Sequence, residues 1–183
     1  GYATVDFDQW PSLSRYVLLF LMMIGACAGS TGGGMKVSRF LLSVKSALRE
    51  LNSYLFPKSV KKIKMDGKTV DEEAIRGINV YFTAYILLVV LSVFLICING
   101  MDIESAFSSV LGTFNNIGPG LGKFGPTCNF GWVSTFSKYV YIFDMLAGRL
   151  ELFPVLILLY PPSWRGLLKR SMKRKKNKRA TTI

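Results

Sequence analysis

The sequence predicts an all-α membrane protein in which spanning helices alternate with a short re-entrant helix and its loop. Three observations predict it. Half of the 183 residues are hydrophobic and the mean hydropathy is +0.34. That is too apolar for an ordinary soluble domain of this length, and the apolar residues are gathered in runs. The net charge is +12, and the basic residues fall mainly in two blocks, Lys36 to Arg76 and Arg165 to Arg179. Two apolar spans separate these blocks, which is the positive-inside pattern. Between the spans lies Gly112 to Gly122, reading Gly-Thr-Phe-Asn-Asn-Ile-Gly-Pro-Gly-Leu-Gly.

That stretch has few side chains to bury, so it makes sense if its backbone is the working part. Glycines let carbonyls adopt unusual directions and approach a ligand closely. Irregular backbone at membrane depth is tolerated only where protein or a water-filled cavity satisfies it. Rings of such carbonyls can replace an ion's hydration shell. Spacing alone leaves two readings open, a pore loop and an ordinary extramembrane loop between two spans.

In chain order, Gly1 to Trp10 is a polar-aromatic lead-in, and Trp10-Pro11 suits an interface anchor before a helix starting near Ser12 or Ser14. Tyr16 to Ala28 is almost wholly apolar but too short to cross a bilayer, which takes about 20 residues. Gly29-Ser30-Thr31-Gly32-Gly33-Gly34 should break the helix. From Val37, apolar residues recur at helical spacing through Phe40, Leu41, Val44, Leu48, Leu51 and Leu55, with Lys36, Arg39, Lys45 and Arg49 on the other face. The expectation is one helix broken by a glycine loop and continued as an amphipathic helix.

Val60 to Val70 reads as a small hairpin with an Asp66-Gly67 turn. Asp71-Glu72-Glu73 offers a helix start. Ile78 to Ile98 carries no charge and is long enough to span. Asp102-Ile103-Glu104 opens a helix of about ten residues ending near Leu111. Too short to span, it dips in and points its partially negative C-terminal end at the glycine-rich loop, which suits a cation. Trp132 to Tyr160 is expected as the last span, with Lys138, Asp144, Arg149 and Glu151 inside it and Pro161-Pro162 as its stop. The basic tail is a topology signal touching anionic lipid. The expected organisation is 1–55, the end of one repeat with its broken second span; 56–77, a cytosolic hairpin loop; 78–164, a whole repeat; and 165–183, a basic tail.

Several chemistries are excluded. No histidine is present, which removes the commonest general base and metal ligand. Cys27, Cys97 and Cys128 lack metal-binding spacing, and two of them lie in apolar surroundings that suit inert buried thiols. A phosphate-binding loop is rejected. Gly29 and Gly34 have its glycine spacing, but Met35 intervenes before Lys36 and Val37 stands where a hydroxyl is required. No nucleic-acid motif accompanies the basic runs, and no site for an ATPase is visible. The chain opens at Gly1 without methionine or signal peptide, and we read it as the C-terminal part of a longer protein.

With these elements in place, the sequence resembles the membrane subunit of the Trk/Ktr/HKT superfamily of potassium transporters, the Trk type most closely. Gly25 to Lys36 is similar to the family's intramembrane loop, Asn115 to Gly122 to its fourth filter segment, and Gly148 to Pro154 to its last helix. Gly1-Tyr2 resembles the end of its third filter segment. Asn115-Asn116 stand where many potassium filters carry threonine.

The resemblance implies repeats of potassium-channel type, four to a chain, around one potassium pore. It implies potassium uptake across a bacterial inner membrane by a multi-pass protein with a cytosolic C-terminus, and no enzymatic activity. The filter would comprise Gly1, Asn115, Asn116, Ile117 and Gly118, with the carbonyls of Asn116, Ile117 and Gly118 binding potassium. Gly29, Ser30, Thr31, Gly32, Gly33 and Gly34, together with Arg149, would form the gate. For Arg149 a structural ion pair holding the last helix is the competing reading. Potassium is the implied ligand, with no organic cofactor. Implied partners are membrane lipid, a second copy in a homodimer, a cytosolic nucleotide-binding regulatory ring and the remaining N-terminal repeats, but no nucleic acid. The alternative function is a non-conducting membrane anchor that docks a cytosolic partner through its basic loops.

Overall fold

Asp102 shows most directly how this chain starts its elements. Its carboxylate accepts the Ser105 N–H at 3.0 Å and caps a twelve-residue helix, Ile103–Phe114. In the computed structural model, which describes residues 3–30, 32–57, 62–150 and 152–159, this helix is α4, and the other elements are arranged around it. Before it come α1 (Ser12–Ile24), α2 (Val37–Leu55), a two-stranded antiparallel hairpin of β1 (Lys64–Met65) and β2 (Lys68–Thr69), and α3 (Glu72–Cys97). After it come α5 (Thr135–Arg149) and α6 (Leu152–Leu159). Single 3-10 turns occupy Phe7–Gln9 and Gly122–Phe124.

Only α3, with 26 residues, is long and apolar enough to cross a bilayer among the described residues. Much of its apolar surface, including Leu87, Val90, Leu91 and Phe94, is uncovered by the rest of the chain, as suits lipid or further helices. By contrast α4 is buried almost throughout, from Ser105 and Ala106 to Ser108 through Phe114, between α1, α3 and α5. Its side-chain hydroxyls satisfy themselves on nearby oxygens, Ser109 with the Tyr141 hydroxyl at 2.9 Å and Thr113 with the Ser109 carbonyl at 2.9 Å. Beyond α4, Phe124 stacks among Phe130, Trp132 and Tyr141, with ring centroids 4.7, 5.5 and 5.9 Å away. A second small core, Leu42, Ile63 and Ile75 with Met65 and Val70, seats the hairpin on α2 and α3.

Three expectations are corrected. The last span is not one helix from Trp132 to Tyr160. Helix α5 ends at Arg149, and α6 starts at Leu152. Pro154 is the reason. In an unbroken helix its ring would strike the Leu150 carbonyl four residues back, whereas in the first turn of a new helix its missing N–H costs nothing. The N-terminal break is also wider than Gly29–Gly34, because α1 stops at Ile24 and Gly25 takes φ +79°. Val37 N–H then donates to the Ala26 carbonyl at 3.0 Å, closing the loop upon itself. Finally, Cys27 and Cys128 are exposed and Cys97 is partly exposed, so none is a fully buried thiol. Gly1, Thr31, Val60, Lys61, Glu151, Tyr160, Pro161, Pro162 and the tail 165–183 lie outside the described residues.

Candidate functional site: a filter-like loop seated on a glycine loop

Helix α4 ends in a Schellman arrangement. The Asn116 N–H donates to the Thr113 carbonyl at 3.1 Å and the Ile117 N–H to the Gly112 carbonyl at 2.9 Å. This requires Asn116 to be left-handed, at φ +55°, a conformation that asparagine tolerates better than other residues with side chains. The Gly118 N–H donates to the same Gly112 carbonyl at 3.1 Å, and Gly118 itself takes φ +103°. A trans peptide holds its N–H and C=O in opposite directions. Since the N–H groups of Ile117 and Gly118 point into α4, the carbonyls of Asn116 and Ile117 point away from it. Among the described residues they accept no hydrogen bond.

The return path lies flat along α4. A side chain starting at Gly112 would meet the Gly118 and Pro119 oxygens at 3.0 and 3.2 Å. Ser108 Oγ receives the Leu121 N–H at 2.9 Å, and Ser105 Oγ receives the Lys123 N–H at 3.3 Å. Asp8, from the N-terminal lead-in, accepts the Gly122 N–H at 2.9 Å, so two distant parts of the chain meet beside the loop. Asp8 also faces Arg15 at 3.5 Å, and Arg15 pairs with Glu104 on α4.

The glycine loop meets the other side of the α4 terminus. The Gly33 N–H donates to the Asn115 carbonyl at 3.2 Å. A β-carbon at Gly33 would come within 2.8 Å of the Phe114 oxygen, and one at Gly34, where φ is +84°, within 2.0 Å of Asn115 Oδ1. From α5, a β-carbon at Gly148 would fall 1.7 Å from the Phe114 oxygen. Three glycines therefore let two backbone segments close on one helix end. Tyr81 on α3 donates to the Gly34 carbonyl at 3.1 Å, and the Arg39 guanidinium lies over the Tyr81 ring, 4.3 Å from its centroid.

The sequence-predicted residues thus sort themselves. Asn115 through Gly118 and Gly33-Gly34 come together at the α4 terminus. The carbonyls of Asn116 and Ile117 are turned outward, that of Asn115 is engaged by Gly33, and that of Gly118 lies against Gly112. Gly29 (φ +82°), Ser30 and Gly32 belong to the same loop, nearer its start. Arg149, the last residue of α5, immediately follows the glycine that touches Phe114. Sequence reasoning missed Tyr81, Tyr85, Asp8 and the packing role of Gly148. The signal for the tyrosines was present: two hydroxyls one helical turn apart on one face of an otherwise apolar span.

The sequence matches the family described as "TrkH: Cation transport protein" over residues 1–164. It is 44% identical over 166 residues to the Trk system potassium uptake protein TrkH of Vibrio parahaemolyticus, covering 91% of this chain and 34% of that protein. It is 41% identical over 165 residues to the protein of the same name from Escherichia coli strain K12, covering 90% of this chain and 34% of the relative. The crystal structure of the potassium transporter TrkH from Vibrio parahaemolyticus superposes with a TM-score of 0.80 at 44% identity, over 90% of this chain and 35% of that one. The chain spans about a third of the length of these relatives. Its fold is that of a helical membrane transporter with pore-loop repeats. By sequence and by structure, the chain belongs to the TrkH family of cation transport proteins.

Proposed function

We infer that this chain is the C-terminal portion of a potassium uptake protein of a bacterial inner membrane, and that Asn115 to Gly118 form one of several filter segments around a shared pore. One observation carries the reading. The carbonyls of Asn116 and Ile117 are turned away from α4 and accept no hydrogen bond among the described residues, while the neighbouring N–H groups are all engaged. Asn116 is exposed and Ile117 only partly covered, so their outward carbonyls are open to take the place of water around a dehydrated cation. The C-terminal end of α4 adds its partial negative charge at the same point. Gly118 completes the set when its carbonyl joins the path, and Gly1 belongs to the preceding segment. Potassium is the cargo, and the transport step makes and breaks no covalent bond.

The glycine loop Gly29–Gly34 is the gate in this reading. It closes from beneath on the residues that begin the filter, and glycines let it move with little strain. Arg149 adds a fixed positive charge beside the same path, which raises the barrier to a cation. The further repeats of the longer protein would supply the rest of the pore, and a second copy and a cytosolic nucleotide-binding ring are the partners we assign to it.

The test is potassium flux into liposomes by the complete protein, followed with a potassium-sensitive dye under an imposed gradient. Flux that exceeds sodium flux is expected. Folded protein that passes neither ion, with or without its cytosolic partner, would instead favour a non-conducting membrane anchor.

A further inference from the structure

Asn115 begins the filter segment, yet it is only 2% exposed and each of its polar groups is already engaged by protein. Its N–H donates to the Leu111 carbonyl at 3.0 Å and its own carbonyl accepts from Gly33 at 3.2 Å. Its side-chain Nδ2 donates to the Met22 carbonyl at the end of α1, at 2.7 Å. Its Oδ1 accepts the hydroxyl of Tyr85, on α3, at 3.1 Å. These last two demands are opposite in kind. A tyrosine hydroxyl has a proton to give, and a backbone carbonyl can only accept. Together they fix which way the amide faces, and Gly34 closes the space beside Oδ1.

Tyr85 is held as firmly. It is 1% exposed, and its ring stands edge-on to Phe114, with centroids 5.1 Å apart and planes at 89°. The hydroxyl is therefore delivered to one point, the side chain of the residue immediately before the left-handed turn at Asn116. The peptide planes that turn the Asn116 and Ile117 carbonyls outward follow directly from that turn.

We propose that the Tyr85 hydroxyl is a specificity-determining positioning group: through Asn115 it holds the peptide planes of Asn116 and Ile117 at the angle that favours potassium over smaller alkali cations. A carbonyl cage discriminates between ions by the number, distance and freedom of its dipoles. Without the hydroxyl, Asn115 Oδ1 is left buried with no donor, the amide gains a reason to rotate, and the Met22 carbonyl loses its anchor. This inference rests on reading the loop as a potassium filter.

The test is Tyr85→Phe in the complete protein, with permeability ratios taken from zero-current potentials under potassium–sodium gradients. Phenylalanine keeps the ring and its contact with Phe114, so it removes only the hydroxyl. The potassium-over-sodium ratio should fall roughly two- to tenfold, the effect of one lost buried hydrogen bond, in a protein that still folds with a modestly lowered thermal unfolding midpoint. Tyr81→Phe removes the neighbouring hydroxyl, which bonds Gly34 rather than the filter. It should alter flux and leave the ratio alone. An unchanged ratio in Tyr85→Phe overturns the proposal, as does a Tyr85→Phe protein that fails to fold, since the hydroxyl would then belong to the fold itself. A wild-type protein that passes no potassium overturns the reading of function instead, so the two failures are distinguishable.

Discussion

Gly118 and Arg149 show at the scale of single residues how the same position can serve packing or transport. Gly118 sits at φ +103°, a region that a side chain makes costly. Gly118→Ser should therefore tilt the loop and lower the preference for potassium over sodium. An unchanged permeability ratio would place Gly118 outside the filter. For Arg149 the two readings diverge. A charge beside the cation path should give faster potassium flux on Arg149→Ala, with the protein still folded. A structural ion pair should give a lower unfolding midpoint and no gain in flux. Flux and thermal stability measured on one preparation in parallel decide between them. Its neighbour Gly148 is less ambiguous, because a β-carbon 1.7 Å from the Phe114 oxygen leaves no room for any other residue.

At the scale of elements, α4 and the glycine loop matter most. The N-terminal cap of α4 is Asp102, whose carboxyl is held below the ordinary carboxylate range, chiefly by the Ser105 backbone N–H and less by Lys123 nearby. A depressed folded value means that the cap's charge stabilises the helix at pH above the ordinary carboxylate value and loses this as pH falls through the lowered one. Asp102→Ala should cost about 1 kcal/mol at neutral pH, and the gap from wild type should close in acid. A gap that is constant with pH would show that the charge contributes nothing. The glycine loop is bound to α4 through Gly33 and to α3 through Gly34. Deleting Gly32-Gly33-Gly34 removes both contacts and should raise resting potassium flux. A folded deletion protein with wild-type flux would make the loop a passive kink.

Across the whole molecule, the spans are joined by sparse polar contacts set in apolar packing. Asp144 on α5 is 0% exposed and accepts the Ser92 hydroxyl of α3 at 2.7 Å, while its Oδ2 finds no partner among the described residues. Ser92→Ala would leave this carboxyl group wholly unpaired. It should destabilise the protein by about 1–3 kcal/mol, read as a lower unfolding midpoint in detergent, and an unchanged midpoint would show that α3 and α5 are held by packing alone. The outer faces of α1, α3 and α5 carry uncovered Phe20, Leu91 and Phe136. Such faces suit lipid or further helices, and the relatives that the chain matches are about three times as long.

What the sequence determined by itself is what depends on local order. Helical spacing from Val37 to Leu55 predicted α2 to the residue, Asp71-Glu72-Glu73 predicted the start of α3, Asp66-Gly67 placed the hairpin turn, and Asp102 marked the cap of α4. Propensity, capping and turn chemistry act over a few residues, so they are legible in a string. The break in the last span was equally local, because Pro154 was visible, but it was outweighed by the long apolar run around it. What only the tertiary structure decided is which groups meet. Asn115 was expected only as a filter residue, and its carbonyl and side chain tie together Gly33, Met22 and Tyr85. Those partners stand 82, 93 and 30 positions away along the chain. Hydrogen bonds over such separations carry no periodicity or motif, since they exist only once packing has brought α1, α3 and the glycine loop around the end of α4.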